Sequence, residues 1–89
     1  MNFTRQEILE ETRELLEPWI SDYHVAHKID EKTNLLAELG IDSVGILQFV
    51  LEVEKRFKIT INDYELDSEL FSKTGNFINI IESKINEVN

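Results

Sequence analysis

Few residues in this chain could carry chemistry. Asp42-Ser43 precedes a run with helix-period hydrophobicity, which puts Asp42 where an N-cap belongs and Ser43 at the first helical position. There the Ser43 hydroxyl sits beside unsatisfied backbone N–H groups and the positive end of the helix dipole, a seat that favours a covalently attached phosphate. The same dipeptide also starts ordinary helices, so the two residues alone leave both readings open. His24 and His27, with Asp22 nearby, could offer three metal ligands. No fourth ligand or supporting motif accompanies them, and a polar loop with two surface imidazoles is the simpler account; no metal site is expected. Nothing in the sequence sets either imidazole as a base for Ser43 with a third group to orient it. Ser43 lies on no Gly-x-Ser-x-Gly elbow, and Gly40, Gly45 and Gly75 are too scattered to cradle a phosphate. No catalytic residue is expected.

The composition narrows the remaining classes. The chain has 89 residues, 42% apolar and 30% charged, which is the make-up of one folded domain spanning residues 1–89. It has no cysteine, which excludes disulfides, a thiol nucleophile and thiolate metal sites. Eighteen acidic against nine basic residues give a net charge of −9. Such a surface repels nucleic acid and attracts basic protein patches. The apolar runs are too short to span a bilayer and the N-terminus lacks an apolar signal core, so a cytoplasmic location is expected.

The elements that must position Ser43 follow from periodicity. Three glycines and one proline leave few turns and favour helices. Thr4 and Glu7 form a capping-box pair, with Phe3 placed to staple onto Ile8. Ile8, Thr12, Leu15, Leu16 and Trp19 then recur on one face, the glutamates fill the other as a solvated face, and Pro18 ends the regular helix near Glu17. Residues 21–42 are too long for a structureless loop, and Val25, Ile29, Leu35, Leu36 and Leu39 should anchor them. Residues 33–40 read as a short helical turn capped by Thr33 and stopped by Gly40. A second long helix runs from Ser43 to Phe57, and Ile59 and Ile61 lay two side chains onto the core. A short helix is expected within residues 64–71. A last one, capped by Thr74, carries Phe77, Ile78, Ile81, Ile85 and Val88 inward. The fold class expected is all-α: a small four-helix bundle of three long helices and one short one.

The second helix carries more apolar surface than one core face needs. Ile46, Phe49, Val50, Val53 and Phe57 supply that face, while Val44, Leu47 and Leu51 form a second row. Either the bundle wraps this helix on two sides, or the second row docks a partner. Trp19 and Phe77 read most simply as core.

The run Glu38-Leu39-Gly40-Ile41-Asp42-Ser43-Val44, followed by Leu51-Glu52-Val53-Glu54-Lys55-Arg56-Phe57-Lys58-Ile59-Thr60-Ile61, closely resembles the attachment region of acyl carrier and peptidyl carrier proteins. The resemblance continues through Leu70-Phe71-Ser72-Lys73-Thr74 and the closing helix, so it covers nearly everything beyond Lys28. It implies the carrier bundle, with Ser43 as the serine that receives 4′-phosphopantetheine from coenzyme A through a magnesium-dependent phosphopantetheinyl transferase. The arm's thiol would hold an acyl or aminoacyl cargo as a thioester. A tether of this kind raises the local concentration of the cargo at a docked active site. The chain would then be no enzyme but a monomeric substrate of enzymes. Its partners would be the transferase, an acyl- or aminoacyl-activating ligase or acyltransferase, and downstream synthase or modifying enzymes. These would read the second helix through Val44, Leu47, Leu51, Glu52 and Glu54. In carriers of this kind an acyl chain can slip between helices, with Phe49 and Ile78 as walls.

The chain also departs from that pattern. Fatty-acid carriers usually place acidic residues two and five positions after the modified serine, where this chain has Gly45 and Gln48. Gly45 costs about 0.5–1 kcal/mol of helix propensity. Either a partner approaches its bare backbone or the first turn tolerates it. Residues 62–73 instead look like the Leu-Asp-x-x-x-Phe style of stand-alone carriers in specialised pathways, including those for extender units and D-alanyl groups. A polyketide, nonribosomal-peptide or extender-unit role is therefore expected, with D-alanyl transfer or fatty-acid synthesis as the alternatives. The rival class is an acidic helical adaptor that is never modified.

Overall fold

The computed structural model describes residues 3–20, 28–39 and 43–88. Among them the chain forms five α-helices: α1 Arg5–Leu16, α2 Leu35–Leu39, α3 Ser43–Phe57, α4 Ser68–Ser72 and α5 Thr74–Val88. Three are long and two short, and no strand occurs among the described residues, so the fold is the all-α bundle that the periodicity implies. The long helix α1 packs on both α3 and α5, while the short α4 packs against α5 and α2.

Helix α1 starts where its capping box requires: Thr4 accepts from the Glu7 N–H, and the Glu7 carboxylate accepts from the Thr4 N–H. Phe3 packs against the core with its ring edge-on to Phe57, centroids 5.1 Å apart. Regular helix stops at Leu16, and Pro18 sits in the 3₁₀ turn Glu17–Trp19 that follows. Two of the expected caps are displaced by one residue or by a stronger bond. Asn34, not Thr33, caps α2, accepting from the Ala37 N–H at 2.8 Å. The Thr33 hydroxyl instead accepts from the Asp30 N–H at 3.0 Å. Helix α5 begins at Thr74 itself, whose hydroxyl donates to the Thr33 carbonyl at 2.9 Å.

The core is continuous across the three long helices. Ile8, Leu16, Phe49, Val53, Phe77, Ile78 and Ile81 are fully buried. Phe77 stacks between Phe49 and Phe71, with centroids 5.4 and 5.7 Å apart, and Trp19 meets Phe49 edge-on at 6.4 Å. Ile59 and Ile61 are buried as expected. Of the five proposed anchors, Ile29 and Leu35 are buried but Leu36 is exposed, because consecutive helical residues point about 100° apart and only the Leu35 side of α2 meets the core. Val25, Gly40, His24, His27 and Asp22 lie outside the described residues, as do the side chains of Leu39 and Val88.

Helix α3 ends in a left-handed residue. Lys58 has φ 56°, and the Ile59 N–H reaches back to the Glu54 carbonyl at 3.1 Å, the bond of a Schellman closure. Arg56 crosses to α1, where it donates to Glu11 and, at 3.4 Å, to Glu14. Part of the glutamate face of α1 is thus a fastening for α3 rather than open solvated charge.

Candidate functional site

Ser43 is the first residue of α3, a helix of 15 residues. The first turn of such a helix carries the positive end of a long dipole. No acidic residue lies within that first turn. Val44, the next residue, is 62% exposed. The start of the helix therefore suits a phosphodiester, and on the Val44 side it faces outward. Asp42 and the Ser43 side chain lie outside the described residues.

The two apolar rows of α3 separate cleanly. Ile46, Phe49, Val50, Val53 and Phe57 are all buried, whereas Val44, Leu47 and Leu51 are each more than half exposed. The bundle wraps the first row only. Leu47 and Leu51 form an apolar strip that leads away from the attachment end, with Gln48 and Glu52 exposed beside them. Glu52 is exposed and lies 3.7 Å from Lys55. Glu54 differs from it. Its carboxylate accepts from the Ile61 N–H at 2.8 Å, which gives it a structural task at the end of the helix.

Gly45 is buried, so it faces into the bundle rather than toward an approaching partner. Phe49 and Ile78 are sealed into the closed core. The apolar cleft that does open lies elsewhere: Leu36, Ile46, Leu47, Leu66 and Phe71 line a space of about 370 Å³ between α2, α3 and α4. Sequence reasoning did not assign Leu36 and Leu66 to a site, because only tertiary packing brings α2 and the segment leading into α4 to the flank of α3. A second, wider groove of about 870 Å³ separates the Trp19 turn from Leu51 and Glu52. Among the described residues no group of acidic or histidine side chains could hold a metal ion, and no helix is long and apolar enough to cross a membrane.

Residues 13–71 match the family model described as a phosphopantetheine attachment site. The chain belongs to the phosphopantetheine-bearing carrier family. The match takes in the end of α1, the approach to Ser43, all of α3 and most of α4. Similar proteins include an acyl carrier protein of Campylobacter hominis, 34% identical over 61 residues that make up 68% of this chain and 75% of that one. An acyl carrier protein of Thermotoga maritima is 29% identical over 58 residues, 65% of this chain and 69% of that one. This member of the family is a carrier and not a catalyst, and its prosthetic group is covalently attached 4′-phosphopantetheine. Members of the family work with a phosphopantetheinyl transferase and with biosynthetic enzymes.

Proposed function

We propose that Ser43 carries the phosphopantetheine arm and that partner enzymes dock on α3 through Val44, Leu47 and Leu51, with Glu52 at the edge of the footprint. The observation that carries this reading is the separation of the two rows: a helix whose core face is complete still exposes three aliphatic side chains, in line with its first residue, Ser43. Asp42, next to the serine in the sequence, has the residue type of a helix cap. When bound, the arm supplies a mobile thiol that holds the cargo as a thioester. The protein's own residues do the rest. The first turn of α3 stabilises the phosphodiester charge, Val44 and Leu47 give a partner an apolar grip near the attachment point, and Glu52 together with the net charge of −9 favours basic partner surfaces. Glu54 is a weaker member of that footprint than its sequence position suggests, because its carboxylate is engaged with Ile61.

The cleft beside Leu47 supports a place for the first carbons of an apolar cargo, close to the docking row. The same reading makes the chain a cytoplasmic monomer that serves a specialised pathway through its own activating ligase or acyltransferase. Gln48, exposed where fatty-acid carriers usually present an acid, supports that narrower assignment. Incubation with coenzyme A, magnesium and a broad-specificity phosphopantetheinyl transferase tests the proposal. The intact mass should rise by one arm per chain in the wild type and stay unchanged in Ser43→Ala. An unmodified wild type beside an active control carrier would favour the adaptor instead.

A further inference from the structure

Arg5 is the most heavily bonded side chain among the described residues, and neither the carrier reading nor the core explains it. Its Nε donates to both Glu31 carboxylate oxygens at 2.8 and 2.9 Å. Nη2 donates to Glu31 at 2.6 Å and to the Gly75 carbonyl at 3.2 Å. Nη1 donates to Asn79 at 2.7 Å and to Glu82 at 2.6 Å. All five guanidinium hydrogens are thereby used. Side-chain exposure is 34% for Arg5, 44% for Glu31 and 36% for Glu82, so none of these charges is sealed away from water.

The cluster fastens one short stretch of chain, residues 29–33, across the gap between α1 and α5. The Gly75 N–H donates to the Glu31 carbonyl and the Thr74 N–H to the Thr33 carbonyl, each at 2.8 Å. Arg13 holds the Ile29 carbonyl at 2.8 Å. The approach at Gly75 is close: a Cβ there would lie 3.1 Å from the Glu31 carbonyl oxygen. Only Ile29 and Thr33 of this stretch are buried, so polar ties rather than apolar packing hold most of it. Directly after it come the Asn34 cap and α2, whose Leu36 forms the outer wall of the apolar cleft.

We propose that Arg5 is a latch: by fastening residues 29–33 to α1 and α5 it fixes α2, and so sets how far Leu36 closes the cleft beside the docking row. Local opening of the strap breaks the Arg5 ties together with the Thr74, Gly75 and Arg13 bonds, and Ile29 is the buried aliphatic side chain of the stretch itself. Release swings Leu36 away from Ile46 and Leu47 and widens the cleft, while the α1, α3 and α5 core stays packed. The use of this movement for cargo rests on the carrier reading; the latch itself does not.

Amide hydrogen exchange on wild type, Arg5→Gln and Arg5→Lys separates the two claims. The N–H groups of Thr33, Thr74 and Gly75 should exchange at least about tenfold faster in Arg5→Gln, the factor expected on losing a charge-assisted bond, with partial recovery in Arg5→Lys. Amides inside α3 should change much less. Equal acceleration throughout the chain, or none at the strap, overturns the latch. In protein bearing the arm, an octanoyl cargo compared with an acetyl cargo should shift the Leu36 methyl resonances more in Arg5→Gln than in the wild type. An equal response would remove the link to the cleft, whereas failure of the arm to attach would count against the carrier reading and leave the exchange result standing.

Discussion

The Glu54 carboxylate accepts a hydrogen bond from the Ile61 N–H at 2.8 Å, so the helix that offers the docking row also holds the chain that leaves it. The Glu54 carbonyl takes the Ile59 N–H as well, which makes one residue the hinge of the turn that buries Ile59 and Ile61. Glu54→Ala should cost about 1–2 kcal/mol of stability, the value of a charge-assisted bond to a backbone group at a half-buried site. Loading by partner enzymes should change little once the protein is folded. Urea unfolding together with a loading assay checks both, and a large docking defect with unchanged stability would return Glu54 to the footprint.

Leu47 should behave in the opposite way. It is 54% exposed, so Leu47→Glu should shift stability by no more than about 0.5 kcal/mol. A charge in the middle of the apolar row should weaken partner loading at least about tenfold, as expected when an apolar contact is replaced by a desolvated charge. Circular dichroism melting and the KM for a loading enzyme are the readouts. A collapsed fold would assign Leu47 to the core.

Lys58 adopts φ 56°, a conformation that costs little only for glycine. Lys58→Gly should therefore stabilise the bundle by about 0.5–1 kcal/mol, the relief of the left-handed strain less the entropy that glycine adds to the unfolded chain. Thermal melting decides the sign.

Acid should loosen the molecule at three fastenings. The carboxyl of Glu31 is held below its ordinary value of 4.5 chiefly by the hydrogen bond from Arg5. Glu7 is held below 4.5 by the Thr4 backbone N–H, and Glu65 by the Asn62 backbone N–H and then by Lys84. Each has a folded value below the unfolded one, so its contribution is present above about pH 4.5 and fades as the pH falls through the lower folded value. Stability should fall as the solution is acidified below that point, and Glu31→Gln, Glu7→Gln and Glu65→Gln should each flatten the slope. Denaturant titrations at a series of pH values check this.

The parts of the fold legible in the sequence are those set by local geometry. Thr4 and Glu7 lie three residues apart, and the capping box they announce is the one that forms. The two rows of α3 follow from helical period alone, and exposure then shows which row the bundle leaves free. What the sequence conceals is set by tertiary competition. Thr74 carries the residue type of a cap, yet its hydroxyl is drawn to Thr33, which lies 41 positions away. Arg5 looks like any charge on a solvated first turn, because its partners are 26 to 77 positions distant. Leu36 resembles its buried neighbour Leu35, and which of the two adjacent positions meets the core is decided by how α2 is seated on the bundle. At the site itself, the helix start at Ser43 and the existence of a second apolar row were readable in the sequence, whereas the exposure of that row and the cleft walls were not.

The central claim is that one serine bears the arm, and peptide-level mass spectrometry of the modified protein tests it most directly. After reaction with coenzyme A and the transferase, fragmentation should place a single phosphopantetheine on Ser43, with none on Ser21, Ser68, Ser72 or Ser83. An arm mapped to any other residue, or a Ser43→Ala protein that still gains one, would contradict the account.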